Sequence, residues 1–289
     1  MTEIRIDALL PQEMAERAEI LGRQKAEMSF LRTFMLAVLA GAFIGLGALF
    51  ATTVSSGTLP APDSGGAVPY GVVRLLAGLV FSVGLILVVV GGAELFTGNN
   101  LIVMAWASGK VTARGLLRNW GIVYLGNFAG SLGTAVLVFL GKQYTFGNGA
   151  TGITALKIAA GKCDLAFVQA IALGILCNAL VCMAVWLSYS ARSTTDKILS
   201  IILPIAAFVA AGFEHSVANM YFVPYGLLIK DLDPGYTVSV TAQVSQLDKL
   251  TWPAFLVGNL LPVTIGNIIG GAILVAAVYW AVFLRRRAQ

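Results

Sequence analysis

Six apolar runs, each long enough to cross a membrane, constrain this chain more than any other feature. They cover residues 33–54, 70–92, 119–140, 165–189, 198–211 resumed at 216–229, and 251–284. A helix needs roughly 20 apolar residues to span the hydrocarbon core. Hydrophobic residues make up 58% of the chain, charged residues only 11%, and the mean hydropathy is +0.85, which lies outside the range of soluble domains. The sequence therefore predicts an all-α integral membrane protein with six transmembrane helices.

The residues before the first run have a different pattern. Apolar side chains recur at roughly helical spacing through residues 9–32, among paired charges, as in an amphipathic helix. We expect residues 1–32 to form a cytoplasmic helix that lies on the membrane surface or against a neighbouring subunit. A solvated entry helix that only anchors the chain remains an alternative. Residues 33–289 then form a single six-helix transmembrane domain.

Basic residues in the short connections predict the orientation. They cluster on alternate connections: Lys110, Arg114 and Arg118, then Arg192 and Lys197, then residues 285–287. Short loops rich in lysine and arginine face the cytoplasm. Six crossings therefore place both termini in the cytoplasm, and the segments 55–69, 141–164 and 230–250 on the opposite side. The short linkers and the absence of a long charge run argue against nucleic acid as a partner.

Two signatures occur twice at equivalent places in the chain. The pattern Gly-x-Glu-x4-Asn begins at Gly92 in the second run and again at Gly212 in the fifth. In the helices that follow, Asn-x7-Asn-x2-Gly begins at Asn119 and again at Asn259. We infer two copies of a three-helix unit, at about residues 33–141 and 165–284. Because each copy crosses the membrane an odd number of times, the copies are inverted repeats related by an axis in the membrane plane.

The first signature also predicts that the second and fifth helices are broken. Glycine and polar residues interrupt both runs, and the second continues as a short half-helix to about residue 108. Unpaired backbone groups at membrane depth are tolerated only where they are buried in protein or line a cavity. The inverted repeat brings the two breaks together near the midplane, so we expect a substrate pathway between the copies.

Glu94, Glu214 and His215 are the titratable residues placed deepest in the runs. A charge at the bilayer centre costs at least about 2.5 kcal/mol, so each requires a partner or a function. The symmetric placement of the glutamates favours a structural role, in which each hydrogen-bonds the backbone of a broken helix. His215 differs because its counterpart is Leu95. We interpret it as facing the pathway and sharing a proton with a weak-acid anion, and a hydrogen-bonded core histidine is the alternative.

Three stretches resemble one known family. They are AELFT at 93–97, GFEHSVANM at 212–220 and PVTIGN at 262–267. They resemble the formate/nitrite transporter family, most closely its formate channel branch, and the resemblance covers about residues 30–285. It implies an aquaporin-like six-helix protomer, a homopentamer in the inner membrane with one pathway per subunit, and permeation of small monovalent anions.

The resemblance also implies site residues. The constrictions would be Phe81, Leu85 and Phe208, with Leu95 and Thr97 in the loop at the first break. The central histidine would be His215, and Asn178 and Asn219 would be polar pathway positions. The vestibule lysine would be Lys162, with Lys157, or no functional lysine in this loop, as alternatives.

Formate is the substrate we expect from this resemblance, with protons as its partner. Nitrite, hydrosulfide, acetate and lactate remain open on the same scaffold. A neutral-solute channel of the aquaporin type is disfavoured because paired Asn-Pro-Ala boxes are absent. A membrane enzyme using Glu214 and His215 as acid and base is disfavoured because the sequence has no nucleophile, metal-ligand or cofactor motif. No cofactor and no metal are expected.

Overall fold

The computed structural model describes residues 8–57 and 68–285, and every regular element in these ranges is helical. Six helices there are long and apolar enough to cross a membrane. These are α2 (Phe30–Ser55), α3 (Tyr70–Gly91), α5 (Ala113–Leu140), α7 (Phe167–Ser190), α8 (Thr194–Ala211) and α11 (Ala254–Phe283). The predicted all-α membrane fold with six spanning helices is confirmed. Residues 1–7, 58–67 and 286–289 of the predicted segments lie outside the described ranges.

Five shorter α-helices lie within the described ranges. They are α1 (Pro11–Glu27), a 3-10 turn (Gly98–Ile102) that leads into α4 (Val103–Ala107), α6 (Ala150–Cys163), α9 (Ser216–Leu232) and α10 (Pro234–Val240). Within α11, two stretches, Ala254–Leu260 and Ile269–Ala277, are wound as π-helix.

The N-terminal helix is shorter than predicted and packs on its own protomer. Met28 and Ser29 are extended, with ψ of 144° and 151°, so α1 ends at Glu27 and the first span begins at Phe30 instead of residue 33. The small residues of α1 face the protein, and a Cβ on Gly22 would lie 3.1 Å from the Cβ of Ala105 in α4. This contact packs α1 against α4, the half-helix that follows the first break.

Both predicted breaks are present and have the same backbone geometry. α3 is capped at its C-terminus by Gly92, with φ 75° and ψ 28°, and α8 is capped by Gly212, with φ 78° and ψ 28°. Side chains other than glycine rarely adopt this left-handed conformation, so each glycine terminates its helix. The chain then re-forms helix at Gly98 in the first copy and at Ser216 in the second. The inverted repeat therefore extends to the dihedral angles of its breaks.

Residues 141–164, which were expected to be a loop, contain α6. Ala155, Ala159 and Ala160 form a small, buried face on this helix, which packs against α9. α6 precedes α7 as α1 precedes α2. The structural correspondence between the copies therefore includes one more helix each than the sequence signatures indicated.

Glycines hold the spans of each copy in backbone contact. A Cβ on Gly130 in α5 would collide with the carbonyl of Val38 in α2, and one on Gly270 in α11 would collide with the carbonyl of Ile175 in α7. Gly41 in α2 lies in the same way against the carbonyl of Asn127. This close approach lets side chains of one span reach backbone groups of the next.

Candidate functional site

Two vestibules enter the protomer between the copies, and each is named here by its lysine. The Lys25 vestibule has a volume of about 270 Å³ and is lined by residues that include Arg17, Lys25, Lys197, Glu94, Leu85 and Leu95. The Lys162 vestibule has a volume of about 280 Å³ and is lined by residues that include Arg74, Lys157, Lys162, Glu214, Phe81 and Phe208. Each therefore presents three cationic side chains and one carboxylate. A cleft with this excess of positive charge concentrates anions.

A dry neck separates the two vestibules. Its lining is apolar except for one imidazole: Ile44, Phe81, Leu85, Leu95, Val181, Ile205, Phe208 and His215. The space has no room for a water molecule. Phe81 and Phe208 meet edge to face at 5.6 Å between ring centroids, on the side of the Lys162 vestibule. Leu85 and Leu95 border the Lys25 vestibule. The structure thus brings the three predicted constriction residues to the neck, together with Leu95 from the loop at the first break.

His215 connects the two breaks. It is 3% exposed, stacks on Phe208 at 5.9 Å, and its Nε2 lies 3.0 Å from the Thr97 hydroxyl oxygen. Its Nδ1 accepts the backbone N–H of Ala218 at 3.0 Å, so the imidazole caps α9. Since Nδ1 is occupied as an acceptor, the neutral ring carries its proton on Nε2 and points it to Thr97. A second proton at Nδ1 would face the Ala218 N–H.

Glu94 belongs to a side-chain cluster in the Lys25 vestibule. Its carboxylate accepts from Lys25 Nζ at 2.8 Å and from Asn99 Nδ2 at 2.7 Å. Asn99 also donates to the side-chain oxygen of Asn119 at 2.9 Å and accepts from Lys25 Nζ at 2.9 Å. The buried carboxylate is therefore paired with one cation and one amide.

Glu214 forms the matching cluster in the Lys162 vestibule. It accepts from Lys162 Nζ at 2.8 Å and from Asn219 Nδ2 at 2.7 Å. Asn219 donates to the side-chain oxygen of Asn259 at 2.7 Å. The prediction that each glutamate hydrogen-bonds the backbone of a broken helix is wrong in its contacts, because both carboxylates bind side chains. A lysine within reach is the more favourable partner for a buried charge.

The backbone of each break is instead held by an asparagine from the repeated second signature. Asn127 Nδ2 donates to the carbonyls of Ala37 and Glu94, and its oxygen accepts from the N–H of Phe96. Asn267 makes the same three bonds, to the carbonyls of Gly174 and Glu214 and from the N–H of Ser216. These side chains satisfy polar groups that a broken helix leaves unpaired at membrane depth.

The remaining predicted residues fall in different places. Asn219 and Lys157 line the Lys162 vestibule, but of the two lysines in α6 it is Lys162 that pairs with Glu214. Asn178 is fully buried and donates to the carbonyl oxygens of Thr97 and Asn267, at 3.3 Å and 2.6 Å, so it holds the loop at the first break. The sequence analysis missed Lys25. No local signal pointed to it: Lys25 and Lys162 each lie twelve residues before the residue whose carbonyl accepts from Asn127 or Asn267, Ala37 or Gly174, and that correspondence is seen only in the fold.

Comparison with known proteins decides the family. A model described as "Formate/nitrite transporter" matches residues 12–281. The chain is 46% identical over 280 residues to the formate channel FocA of Escherichia coli K12, covering 96% of each protein. The chain belongs to the formate/nitrite transporter family. FocA of Haemophilus influenzae is 42% identical over 267 residues and covers 92% of each chain.

Solved structures of the formate/nitrite transporter family have the same fold. A structure titled "Pentameric formate channel with formate bound" superposes with a TM-score of 0.80 at 45% identity, covering 89% of this chain and 98% of that one. A second, titled "FNT family ion channel", superposes with a TM-score of 0.76 at 26% identity. The chain is thus a multi-pass membrane protein with the transporter fold that its motifs predicted.

Proposed function

We propose that this protein transports formate through the path formed by the Lys25 vestibule, the neck and the Lys162 vestibule. The observation that carries the proposal is the dry neck with one imidazole N–H on its wall, placed between two vestibules of net positive charge. The formate channels among its relatives support formate as the substrate. No covalent chemistry is required, and the protein acts as a channel and not as an enzyme.

The vestibules collect the anion. Lys162 is ion-paired with Glu214, and its side chain is 14% exposed. Lys25 is ion-paired with Glu94, and its side chain is 27% exposed. Lys162 takes the role of vestibule lysine because its ammonium lies at the break beside His215, whereas Lys157 extends the cationic surface. The excess charge raises the local formate concentration at both mouths.

The neck selects by dehydration. Phe81 with Phe208, and Leu85 with Leu95, close a space that holds no water, so a hydrated ion is excluded. A bare carboxylate loses its hydration there without a full replacement, whereas the neutral acid loses much less. The substrate therefore crosses as the acid or nearly so, with a proton taken from vestibule water. This is the source of proton coupling in the proposal.

His215 supplies the hydrogen bond that the dry neck otherwise lacks. Its Nε2–H, now on the Thr97 hydroxyl at 3.0 Å, turns to an oxygen of the passing substrate, and Thr97 completes the pair of polar groups. Hydrogen bonding is favoured over donation of the imidazole proton, because Nδ1 is held by the Ala218 N–H and cannot take up a replacement without uncapping α9.

The assembly and its location follow from the same family membership and from the basic connections. We propose a homopentamer in the cytoplasmic membrane, with both termini and the Lys25 vestibule facing the cytoplasm, since Lys110, Arg192 and Lys197 belong to the connections on that side. Residues 1–32 form its cytoplasmic segment and residues 33–289 its single channel domain. The surrounding bilayer is the third partner, and no cofactor is involved.

Flux into proteoliposomes tests the substrate. Isotope-labelled formate, nitrite, hydrosulfide, acetate and lactate are each supplied at one concentration, with protein-free vesicles as the control. We expect formate to enter fastest. Equal rates for all five anions would remove the formate assignment while leaving an anion channel. Osmotic swelling in glycerol without anion flux would instead establish a neutral-solute channel.

A further inference from the structure

The two lysine clusters differ in the bonds that their lysines make, and Asn259 Nδ2 adds a longer bond to Glu214, at 3.3 Å, that Asn119 does not make to Glu94. Lys25 Nζ donates to both Glu94 and Asn99, whereas Lys162 Nζ donates to Glu214 and lies 5.4 Å from the centre of the Phe222 ring. Asn219 Oδ1, which corresponds to the oxygen that Lys25 occupies, is buried and has no hydrogen-bond partner among the described residues.

The amide of Asn219 cannot rotate to remove this orphan oxygen. Both protons of its Nδ2 are in use, on Glu214 Oε2 and on Asn259 Oδ1, each at 2.7 Å. A flip would place Oδ1 against the carboxylate. An unpaired buried acceptor is unfavourable, and a bond from the Lys162 ammonium would remove that cost. A neighbouring side chain must therefore hold the ammonium away from the Asn219 oxygen.

Phe222, whose ring approaches the Lys162 ammonium, differs between the clusters. It follows Asn219 by three positions, and the residue that follows Asn99 by three positions is Ile102. Phe222 lines the Lys162 vestibule and presents a ring face to the ammonium. An aromatic face attracts a cation within about 6 Å, and an isoleucine side chain does not.

We propose that Phe222 is a positioning residue that holds the Lys162 ammonium off Asn219 and keeps an additional N–H free for a small carboxylate. Lys25 donates the corresponding N–H to Asn99, so it has one N–H fewer for the same anion and binds it more weakly. The two ends of the pathway therefore differ in affinity, and the Lys162 end binds more tightly. The inference rests on the proposed function for its ligand, but its geometry does not depend on which anion is carried.

Replacing Phe222 by the residue found in the first copy tests the geometry. In a cryo-EM structure of Phe222→Ile, Lys162 Nζ is expected within hydrogen-bond distance of Asn219 Oδ1, as Lys25 is with Asn99. Phe222→Leu serves as a second variant if the first does not assemble. An ammonium that stays in its wild-type position in either variant overturns the proposal, whatever the protein transports.

Side-specific uptake tests the consequence. In vesicles of uniform orientation, labelled formate is supplied to one side at a time. Phe222→Ile should raise the half-saturating formate concentration by roughly tenfold or more at the Lys162 side, which corresponds to the loss of one hydrogen bond to a charged group, and leave the Lys25 side unchanged. Phe222→Tyr, which keeps the ring, should retain the wild-type difference between the sides.

A double variant shows whether Phe222 acts through Lys162. In the Lys162→Met background, Phe222→Ile should have no further effect on half-saturation. An additive loss there, or equal changes at both sides, would contradict the positioning role. Wild-type vesicles that carry no formate would refute the proposed function, and the position of the Lys162 ammonium in Phe222→Ile would still decide the present inference.

Discussion

The two copies of the repeat are most alike where they meet the vestibules and least alike where they meet each other. The lysine–glutamate–asparagine clusters and the asparagines that hold the breaks occur in both. At the neck, His215 occupies the position of Leu95, and Thr97 occupies the position of Val217. His215 and Thr97 come from non-equivalent positions, and yet they form one hydrogen bond. Duplicated residues build the scaffold, and we propose that the residues that were not duplicated are the ones that contact the substrate.

The glutamates give the largest expected effect and test whether the clusters are equivalent. Glu94→Gln and Glu214→Gln should each destabilise the protein by about 3 kcal/mol, because a partly buried lysine loses its counter-charge. Thermal unfolding of the detergent-solubilised protein measures both. Loss of stability in only one variant would show that the two clusters do not contribute equally to the stability of the protein.

The glycines test the packing that both copies share. Gly130→Ala and Gly270→Ala should each cost about 2 kcal/mol, because the new methyl group meets a carbonyl of the adjoining span. Gly133 in α5 has no atom within 4 Å of an added Cβ, so Gly133→Ala is the matched control. Alanine is favoured over glycine within a helix, so Gly133→Ala should keep or gain stability. A control that lost as much stability as the other two would show that the contact with the adjoining span does not set the result.

Thr97→Val probes the unduplicated hydrogen bond by making the first copy match the second. The variant removes the acceptor of the His215 Nε2–H and keeps the side-chain shape. Formate flux should fall about tenfold, which corresponds to roughly 1.4 kcal/mol. The reverse change, Val217→Thr, is the control. Unchanged flux in Thr97→Val would remove Thr97 from the pathway.

The two lysines of α6 give the smallest expected difference from the wild type. Lys157→Met should lower formate uptake by about twofold, and only at low ionic strength. The substitution removes a positive charge from the entrance of the Lys162 vestibule but breaks no ion pair, and salt screens the effect of such a charge. Lys162→Met should lower uptake severalfold at all ionic strengths. Uptake rates measured at two salt concentrations compare them, and the opposite ranking would make Lys157 the vestibule lysine.

The sequence predicted the spans and the breaks well because these depend on local signals. Runs of apolar residues and the two glycines at Gly92 and Gly212 act within a few residues of themselves. The partners of the glutamates could not be predicted in the same way. Lys25 lies 69 positions from Glu94, and Lys162 lies 52 positions from Glu214, so only the tertiary fold joins them. α6 was missed because its polar and glycine residues masked a short alanine face.

The most direct test of the account is formate uptake by His215→Asn beside the wild type, under a pH gradient imposed in each direction. Asparagine can still cap α9 through its side-chain oxygen, but it lacks the Nε2–H, so the fold should be retained. We predict that the wild type takes up formate faster when the outer solution is acidic, because the neutral acid crosses the dry neck. The variant should lose most of its flux at an unchanged unfolding temperature, and its remaining flux should keep the same pH dependence, since the proton comes from vestibule water and not from the imidazole. Uptake in His215→Asn at the wild-type rate would contradict the central role of the imidazole.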